Sequence, residues 1–528
     1  MKPKVLPPLV SGPTPFDGWD IRTLIDGKAQ QRRDHPFLIW EPFEGCGRTW
    51  TYGEFALALR RFAAGLQQRG VAPGERVLVH LDNCPESLIA WLGCAYAGAV
   101  AVTTNARSSL AELTYYAAHS GAVGAITQPR FAALVAAAAP QLAWICVTET
   151  DNGALATAPP LHEPFAAIDA DPALLAERPA DPLAPFAIQY TSGTTSRPKA
   201  VRWSHANALW GARGSAMHQG LSQDDVHLVH LPLFHANAQV YSVGAVLWAG
   251  ASAVILPRFS ASRFWEVSQR RACTWTSMVP FCIRALESLP VPEHHTYRVW
   301  GNTSRMTAVE ERFGVTTLGW WGMTETLTQG IVGVPGLPTA PGAIGRPTPL
   351  TEILVLDSAM RPVAPGETGD LYVRGRRGLS LFLDYADDPE ATAASFTADG
   401  LFITGDRIRI GEDGSLFFAD RSKDMLKVGG ENVAASEIEQ AIMAVPGVAE
   451  VAVVGCSHPM LDEVPVAFVI PRGDVPDLAA RIAEACAAQL AAFKCPREVR
   501  LVDSLPRSTI EKIAKAELRA QLAAEAAV

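Results

Sequence analysis

The sequence predicts an α/β protein with a large N-terminal domain and a small α+β C-terminal domain, and three observations carry that prediction. From about residue 54 to 320, helical patterns alternate with short β-branched runs, the rhythm of layered α/β subdomains with parallel sheets. Between about 331 and 420, strands separated by Pro/Gly turns such as Ala364-Pro365-Gly366 mark a β-rich subdomain of the large domain. After Arg421 the chain turns to a strand-and-helix mixture of about a hundred residues, an ordinary domain size. The domains therefore read as 1–420 and 424–528.

In chain order, a helix is expected over 54–69, a strand over 76–81, a helix over 86–97, a strand over 99–103 and a helix over 110–119. The apolar stretch 88–102 contains Gly93, Gly98 and several alanines and falls short of a membrane span, so it reads as helix, turn and strand in a core. Residues 186–190 form a short buried strand. The same rhythm continues with 226–231, 251–256, 263–271, 298–300, 307–313 and 315–319. Strands follow at 352–356 and 370–374. The tail adds strands at 448–454, 464–470 and 499–502 around an alanine-rich helix over 476–493.

Composition narrows the function. A net charge of -9 across 528 residues, with no long Lys/Arg run, argues against a nucleic-acid surface and favours small-molecule chemistry. Nine cysteines are scattered without C-x-x-C pairs or zinc spacing, as expected of reduced thiols in a cytoplasmic protein. Met1-Lys2-Pro3-Lys4 leads into a proline-broken segment rather than the apolar core of a secretory signal.

The most informative stretch is Tyr190-Thr191-Ser192-Gly193-Thr194-Thr195-Ser196-Arg197-Pro198-Lys199, which packs five aliphatic hydroxyls, a glycine and a lysine at a strand end. Ligands collect at the carboxyl ends of strands in open parallel sheets. Hydroxyls and backbone N–H groups there can wrap phosphate oxygens, with Lys199 as a point charge. The spacing differs from the Gly-x4-Gly-Lys-Ser/Thr loop of nucleoside triphosphatases, and the composition alone also suits an ordinary polar turn.

Five further clusters follow in order: Pro232-Leu233-Phe234-His235-Ala236-Asn237-Ala238; Trp321-Gly322-Met323-Thr324-Glu325-Thr326; Thr404-Gly405-Asp406; Asp420-Arg421-Ser422-Lys423-Asp424; and Leu505-Pro506-Arg507 with Lys512. With the hydroxyl loop they resemble the adenylate-forming superfamily over almost the whole chain. Within it the sequence is most similar to crotonobetaine/carnitine-CoA ligase-like acyl-CoA synthetases, through Leu81-Asp82-Asn83-Cys84-Pro85-Glu86, Asn105-Ala106-Arg107 and the loop 194–199.

The resemblance implies an ATP-dependent acyl-CoA ligase. A carboxylate and ATP give an acyl-adenylate and pyrophosphate, and the CoA thiol then displaces AMP. It further implies Glu325 as the Mg2+ anchor, Thr324 on the α-phosphate, and Lys512 bridging carboxylate and phosphate, with His235 completing the catalytic set. Thr191, Ser192, Gly193, Thr194, Thr195 and Lys199 would hold the β- and γ-phosphates. Asp406 would take the ribose, a diol suited to a carboxylate's several lone pairs, and Arg421 the same ribose or a phosphate. Trp321 would stack on adenine, opposite the wall Gly301-Asn302-Thr303 and beside Gly322 and Met323. Lys423 matches the family's hinge, at 421–423, about which a mobile tail domain rotates between half-reactions. Lys427 and Gly430 would serve the second conformation, where pantetheine passes close to backbone. The partners implied are a small-molecule carboxylate, ATP and CoA, without nucleic acid or a membrane span, with a homodimer as the assembly to test.

Three positions depart from the family pattern: Ser196 and Ala200 stand where glycine is typical, and Glu511 precedes Lys512 where glycine is common. A carboxylate next to the catalytic lysine favours one alternative, a catalytically weak acyl- and nucleotide-binding protein. A second alternative is a stand-alone adenylation domain or acyl-carrier-protein ligase. Against amino-acid activation, His235 and Ala236 occupy the place where such enzymes carry an aspartate for the α-ammonium. For the acyl pocket the motif positions nominate His235, Asn237, Gly301, Gly319, Trp320 and Met323. The indole of Trp320 either shortens the acyl tunnel, leaving room for a small or medium acid, or packs outward in the core. It would also suit an aromatic cage for a quaternary ammonium.

Overall fold

A computed structural model describes residues 9, 12–157, 159, 162–191, 198–337, 339–421, 425–473, 475–506 and 513–526. The chain divides into two compact units, one of residues 1–106, 117–190 and 200–420, the other of 107–116, 191–199 and 421–528.

The first unit carries two large sheets with parallel centres. In one, the order is Asp384–Tyr385, Lys199–Ser204, Pro185–Thr191, Val100–Thr103, Arg76–His80, Gly124–Thr127, Trp144–Val147 and Glu163–Pro164. In the other it is Arg346–Pro347, Ile331–Val332, Thr316–Trp321, Val299–Asn302, Trp275–Ser277, Val226–Val229, Ser252–Ile255, Pro36–Trp40 and Arg48–Thr51. Their central strands are buried throughout, as parallel strands covered by helices must be. A four-stranded antiparallel sheet, Glu352–Leu356, Thr368–Arg374, Phe402–Ile410 and Leu416–Arg421, forms the β-rich part.

Local chemistry explains the helix boundaries. Thr51 and Glu54 form a reciprocal capping box that starts helix Tyr52–Gln68 two residues before the expected position. Helix Pro85–Ala97 begins on proline and stops at Gly98, whose φ of 86° places it in the left-handed region. Ser204 caps helix His205–Gln219 with Asn207, and both side chains reach onward, Ser204 Oγ to the carbonyl of Gly378 and Asn207 Nδ2 to those of Leu379 and Leu381.

Several further elements differ from the sequence reading, among them the alanine-rich helix expected over 476–493, which spans only Leu478–Gln489. The strand expected at 315–319 runs Thr316–Trp321 and so includes both consecutive tryptophans. From the last two residues of the His235 cluster onward, Asn237–Gly244 form a π-helix, a rare conformation that recurs at functional sites.

In the second unit, strands Glu431–Ala434, Met425–Val428, Asp462–Pro471 and Val448–His458 form a sheet, with Glu498–Leu501 added in parallel to Asp462–Pro471. Helices Ala435–Met443 and Leu478–Gln489 cover it through Ile438, Ile442, Leu478 and Ile482. Lys494 is buried there and donates to the carboxylates of Glu437 and Glu112. These neighbours outweigh burial and hold its ammonium above the ordinary lysine range.

Two helical glycines with opposite surroundings test the packing. A Cβ on Gly65 would fall 1.5 Å from the carbonyl oxygen of Ile168, whereas Gly27 faces open space. Gly65→Ala is expected to cost about 1–3 kcal/mol and Gly27→Ala to gain up to about 1 kcal/mol. Thermal unfolding of the two variants should move in opposite directions.

Candidate active site

Strand Thr316–Trp321 delivers the Gly322-Met323-Thr324-Glu325 cluster at its carboxyl end. A short 3-10 turn over Thr324–Thr326 is braced by Thr326 Oγ1, which accepts from Met323 N at 2.9 Å. Leu327 then holds a φ of 61°, a backbone state unusual for a bulky residue. Three donors fix this turn. Trp203 Nε1 donates to the Thr324 carbonyl at 2.9 Å, Phe382 N to the Glu325 carbonyl at 2.8 Å, and the Tyr385 hydroxyl to Glu325 Oε1 at 2.9 Å. Glu325 is only 5% exposed. Burial, reinforced by Glu325 itself, pushes the Tyr385 phenol far above its ordinary range, so it remains a donor.

The Thr404-Gly405-Asp406 cluster is a bulge. Asp370 pairs with Arg407 and Tyr372 with Ile403, so Leu371 alone faces three residues of strand Phe402–Ile410. Gly405 takes a φ of 78° within it. Thr404 Oγ1 donates to the Leu371 carbonyl at 2.7 Å and accepts from Asp406 N at 3.1 Å. The bulge turns the Asp406 carboxylate toward the neighbouring strand end, where Oδ2 accepts from Trp321 Nε1 at 2.8 Å. Trp321 and Asp406 are 6% and 2% exposed.

Trp320 points to the opposite face. Its ring lies nearly parallel to Trp275 (12°, centroids 5.8 Å apart) and edge-on to Tyr241 (73°, 5.9 Å). It covers Gly301 so closely that a Cβ there would sit 1.9 Å from Trp320 Cη2. The cluster is completed by Val299, Leu318 and Val332. Gly319, nominated for the pocket, instead abuts the backbone of Ala343, Ser304 and Arg305, because it lies on the other face of the strand from Trp320.

His235 is half-buried and edge-on to Phe234, and its carbonyl accepts from Gln239 N. Asn302 is fully buried beside Met306, with its Oδ1 lacking a hydrogen-bond partner. Gly301 and Asn302 lie on strand Val299–Asn302, Thr303 just beyond it, and Met323 is half-buried. Thr191 ends strand Pro185–Thr191 and Lys199 opens strand Lys199–Ser204, both half-buried. In the second unit, Lys427 lies on strand Met425–Val428 with its backbone N–H on Glu463 Oε2, and Gly430 turns with a φ of 87°. Arg421 ends strand Leu416–Arg421. Ser192, Gly193, Thr194, Thr195, Lys423, Glu511 and Lys512 lie outside the described residues, as does the side chain of Arg421.

The structure thus joins Trp321 with Asp406, and Gly301 with Trp320. Sequence reasoning missed Trp203, Tyr385, Tyr241 and Trp275. All four are common core residues whose roles depend on partners tens of residues away, and no local spacing marks them.

Two buried carboxylates, one just beyond a strand end and one on a bulge, are thus each met by an aromatic donor from a distant segment. The chain belongs to the AMP-binding enzyme family, whose model matches residues 25–385, with the family's C-terminal domain matched over 437–512. It is an ATP-dependent acyl-CoA ligase acting through an acyl-adenylate. It is 32% identical to the crotonobetaine/carnitine–CoA ligase of Salmonella paratyphi C (strain RKS4594), covering 95% of this chain and 99% of that one. Among solved structures it resembles o-succinylbenzoate CoA synthetase from Bacillus subtilis bound with a product analogue (TM-score 0.77, 25% identity, 94% of this chain and 98% of that one). It also resembles ATP-bound MatB from Rhodopseudomonas palustris (TM-score 0.67, 28% identity, 95% and 98%). A third likeness is to the anthranilate CoA ligase AuaEII in complex with anthranoyl-AMP (TM-score 0.70, 25% identity, 97% and 98%). Among the described residues no helix is long and apolar enough to cross a membrane.

Removing the Tyr385 hydroxyl takes a hydrogen bond from a buried carboxylate. Tyr385→Phe is expected to cost about 1–3 kcal/mol of stability, seen as a lower Tm in thermal unfolding.

Proposed function

We propose that the acid activated is a small or medium carboxylate, compact or aromatic, and that free CoA is the acceptor. The observation that supports this is the Trp320 indole lying across Gly301. Trp275 and Tyr241 both pack on the Trp320 ring, making a closed wall rather than a cage opened around a quaternary ammonium. A compact acid therefore fits better than carnitine. The likeness to an anthranilate CoA ligase is consistent with an aromatic acid.

In the same reading, the hydroxyl loop with Thr191 and Lys199 grips the leaving pyrophosphate while Thr324 bonds the α-phosphate. Lys512 steadies the in-line geometry between carboxylate and phosphate, where charge develops. Asp406 and Arg421 hold the ribose and Trp321 stacks on adenine. Glu325 suits Mg2+, which binds through one or two carboxylates plus substrate phosphates, and the ion would neutralise charge on the departing pyrophosphate. The hinge at 421–423 then carries Lys512 away from the site so that the thiol can attack, with Gly430 leaving room for pantetheine. Nine unpaired cysteines support a cytoplasmic setting. A homodimer belongs to the same reading, and light scattering tests it.

A panel of carboxylic acids assayed for ATP-dependent pyrophosphate release, with and without free CoA, tests the reaction. Compact and aromatic acids should give CoA-dependent AMP. AMP release and thioester formation only with an added carrier protein would favour that acceptor, and ATP binding without pyrophosphate release would favour a weak binder hampered by Glu511. Trp320→Gly should extend chain-length tolerance, raising kcat/KM for longer acids about fourfold per accommodated methylene, from about 0.8 kcal/mol per buried CH2. Unchanged specificity in that variant would remove Trp320 as the gate.

A further inference from the structure

Trp321 does more than present a ring. Its Nε1 donates to Asp406 Oδ2 at 2.8 Å across 85 positions of sequence, and both residues are more than nine-tenths buried. The acceptor is held from the other side as well. The bulge at Thr404-Gly405-Asp406 re-aims the carboxylate, Gly405 supplies the positive φ, and Thr404 Oγ1 ties the Asp406 amide to the Leu371 carbonyl. A buried carboxylate left to rotate would present its oxygens in several orientations, and a charge-assisted hydrogen bond at one of them removes that freedom. Packing holds the donor too, since the ring edge of Trp321 reaches Gly330, where an added Cβ would lie 3.1 Å from Trp321 Cζ3.

We propose that Trp321 is a positioning residue for nucleotide recognition: its indole N–H orients the Asp406 carboxylate so that the other oxygen meets the ribose hydroxyls of ATP. The inference rests on the reading above that Asp406 faces the ribose. Stacking needs only an aromatic ring, which phenylalanine supplies. Orientation needs the N–H, which phenylalanine lacks.

The experiment compares equilibrium binding of ATP, 2′-deoxy-ATP and 3′-deoxy-ATP to the full chain and to Trp321→Phe, by calorimetry. The native enzyme should prefer ATP over at least one deoxy analogue. In Trp321→Phe, ATP should bind about tenfold or more weakly, while the deoxy analogues lose much less, so the preference collapses toward one. Asp406→Asn should collapse it similarly, and adding Trp321→Phe to that variant should cost little more, since the two residues act as one unit. Equal losses for all three nucleotides, with the preference intact, would overturn the positioning role and leave stacking alone. An absence of any preference in the native enzyme would instead overturn the ribose reading of Asp406. Should Trp321→Phe fail to fold, replacing Trp321 by benzothienylalanine, which keeps the bicyclic shape and swaps N–H for sulfur, must give the same collapse.

Discussion

Burial of two carboxylates is the constraint that organises this site. Glu325 and Asp406 are 5% and 2% exposed, and an ionised carboxylate removed from water is costly unless donors replace its hydration. Both find an aromatic donor from a distant segment, Tyr385 for Glu325 and Trp321 for Asp406. An aromatic donor suits this task because it brings a large apolar body into the core and places a single polar atom at its rim. The same two bonds tie the end of strand Thr316–Trp321 to the chain around residues 385 and 406. Through Asp406 the antiparallel four-stranded sheet is therefore fixed to that strand end, and through Tyr385 so is the edge of the eight-stranded sheet.

Much of the fold was legible because its signals are local. Helix Thr307–Phe313 and strand Glu352–Leu356 lie where periodicity and turn residues put them. The capping pair Thr51 and Glu54 is three residues apart, and Gly98 stands at the helix end. Motif order likewise named Trp321, Glu325 and Asp406. What local signals do not carry is partner identity. Nothing near Trp203 tells that its indole N–H meets the carbonyl of Thr324, and nothing near Tyr385 points to Glu325. The π-helix at Asn237–Gly244 was illegible for a related reason. A widened turn is stabilised by what its side chains meet, here Gln239 against Gln189 and Tyr241 against Trp320, and apolar periodicity over eight residues does not separate it from an α-helix.

Gly301 and Trp320 illustrate how much the surroundings of a glycine depend on a residue its motif does not contain. The motif places Gly301 on a pocket wall and leaves open what lies against it. In the structure that space is filled, with Trp320 Cη2 and Cζ3 within 2.0 Å of where a Cβ would stand. The smallest and largest side chains on adjacent strands form one packing unit, and their combined volume rather than either residue sets the local shape. Enlarging Gly301 would therefore displace the indole, whereas shrinking Trp320 would open a cavity whose size the surrounding Trp275 and Tyr241 limit.

The consecutive tryptophans show why the strand register matters chemically. Successive side chains on a strand point to opposite faces, so Trp320 meets Trp275 and Tyr241 while Trp321 meets Asp406. One step of backbone separates the wall over Gly301 from the carboxylate on the bulge. A slip of one residue would turn each indole to the opposite face, taking the Trp321 N–H from Asp406 and the Trp320 ring from Gly301. The register is pinned on both sides, by parallel pairing of Gly301 with Leu318 and Asn302 with Gly319, and by antiparallel pairing of Trp320 with Val332 and Trp321 with Ile331. Parallel pairing on one edge and antiparallel on the other make this strand the junction between the parallel sheet and the antiparallel segment beyond it. Two similar residues side by side can therefore do different work, because neither can be moved without moving the other.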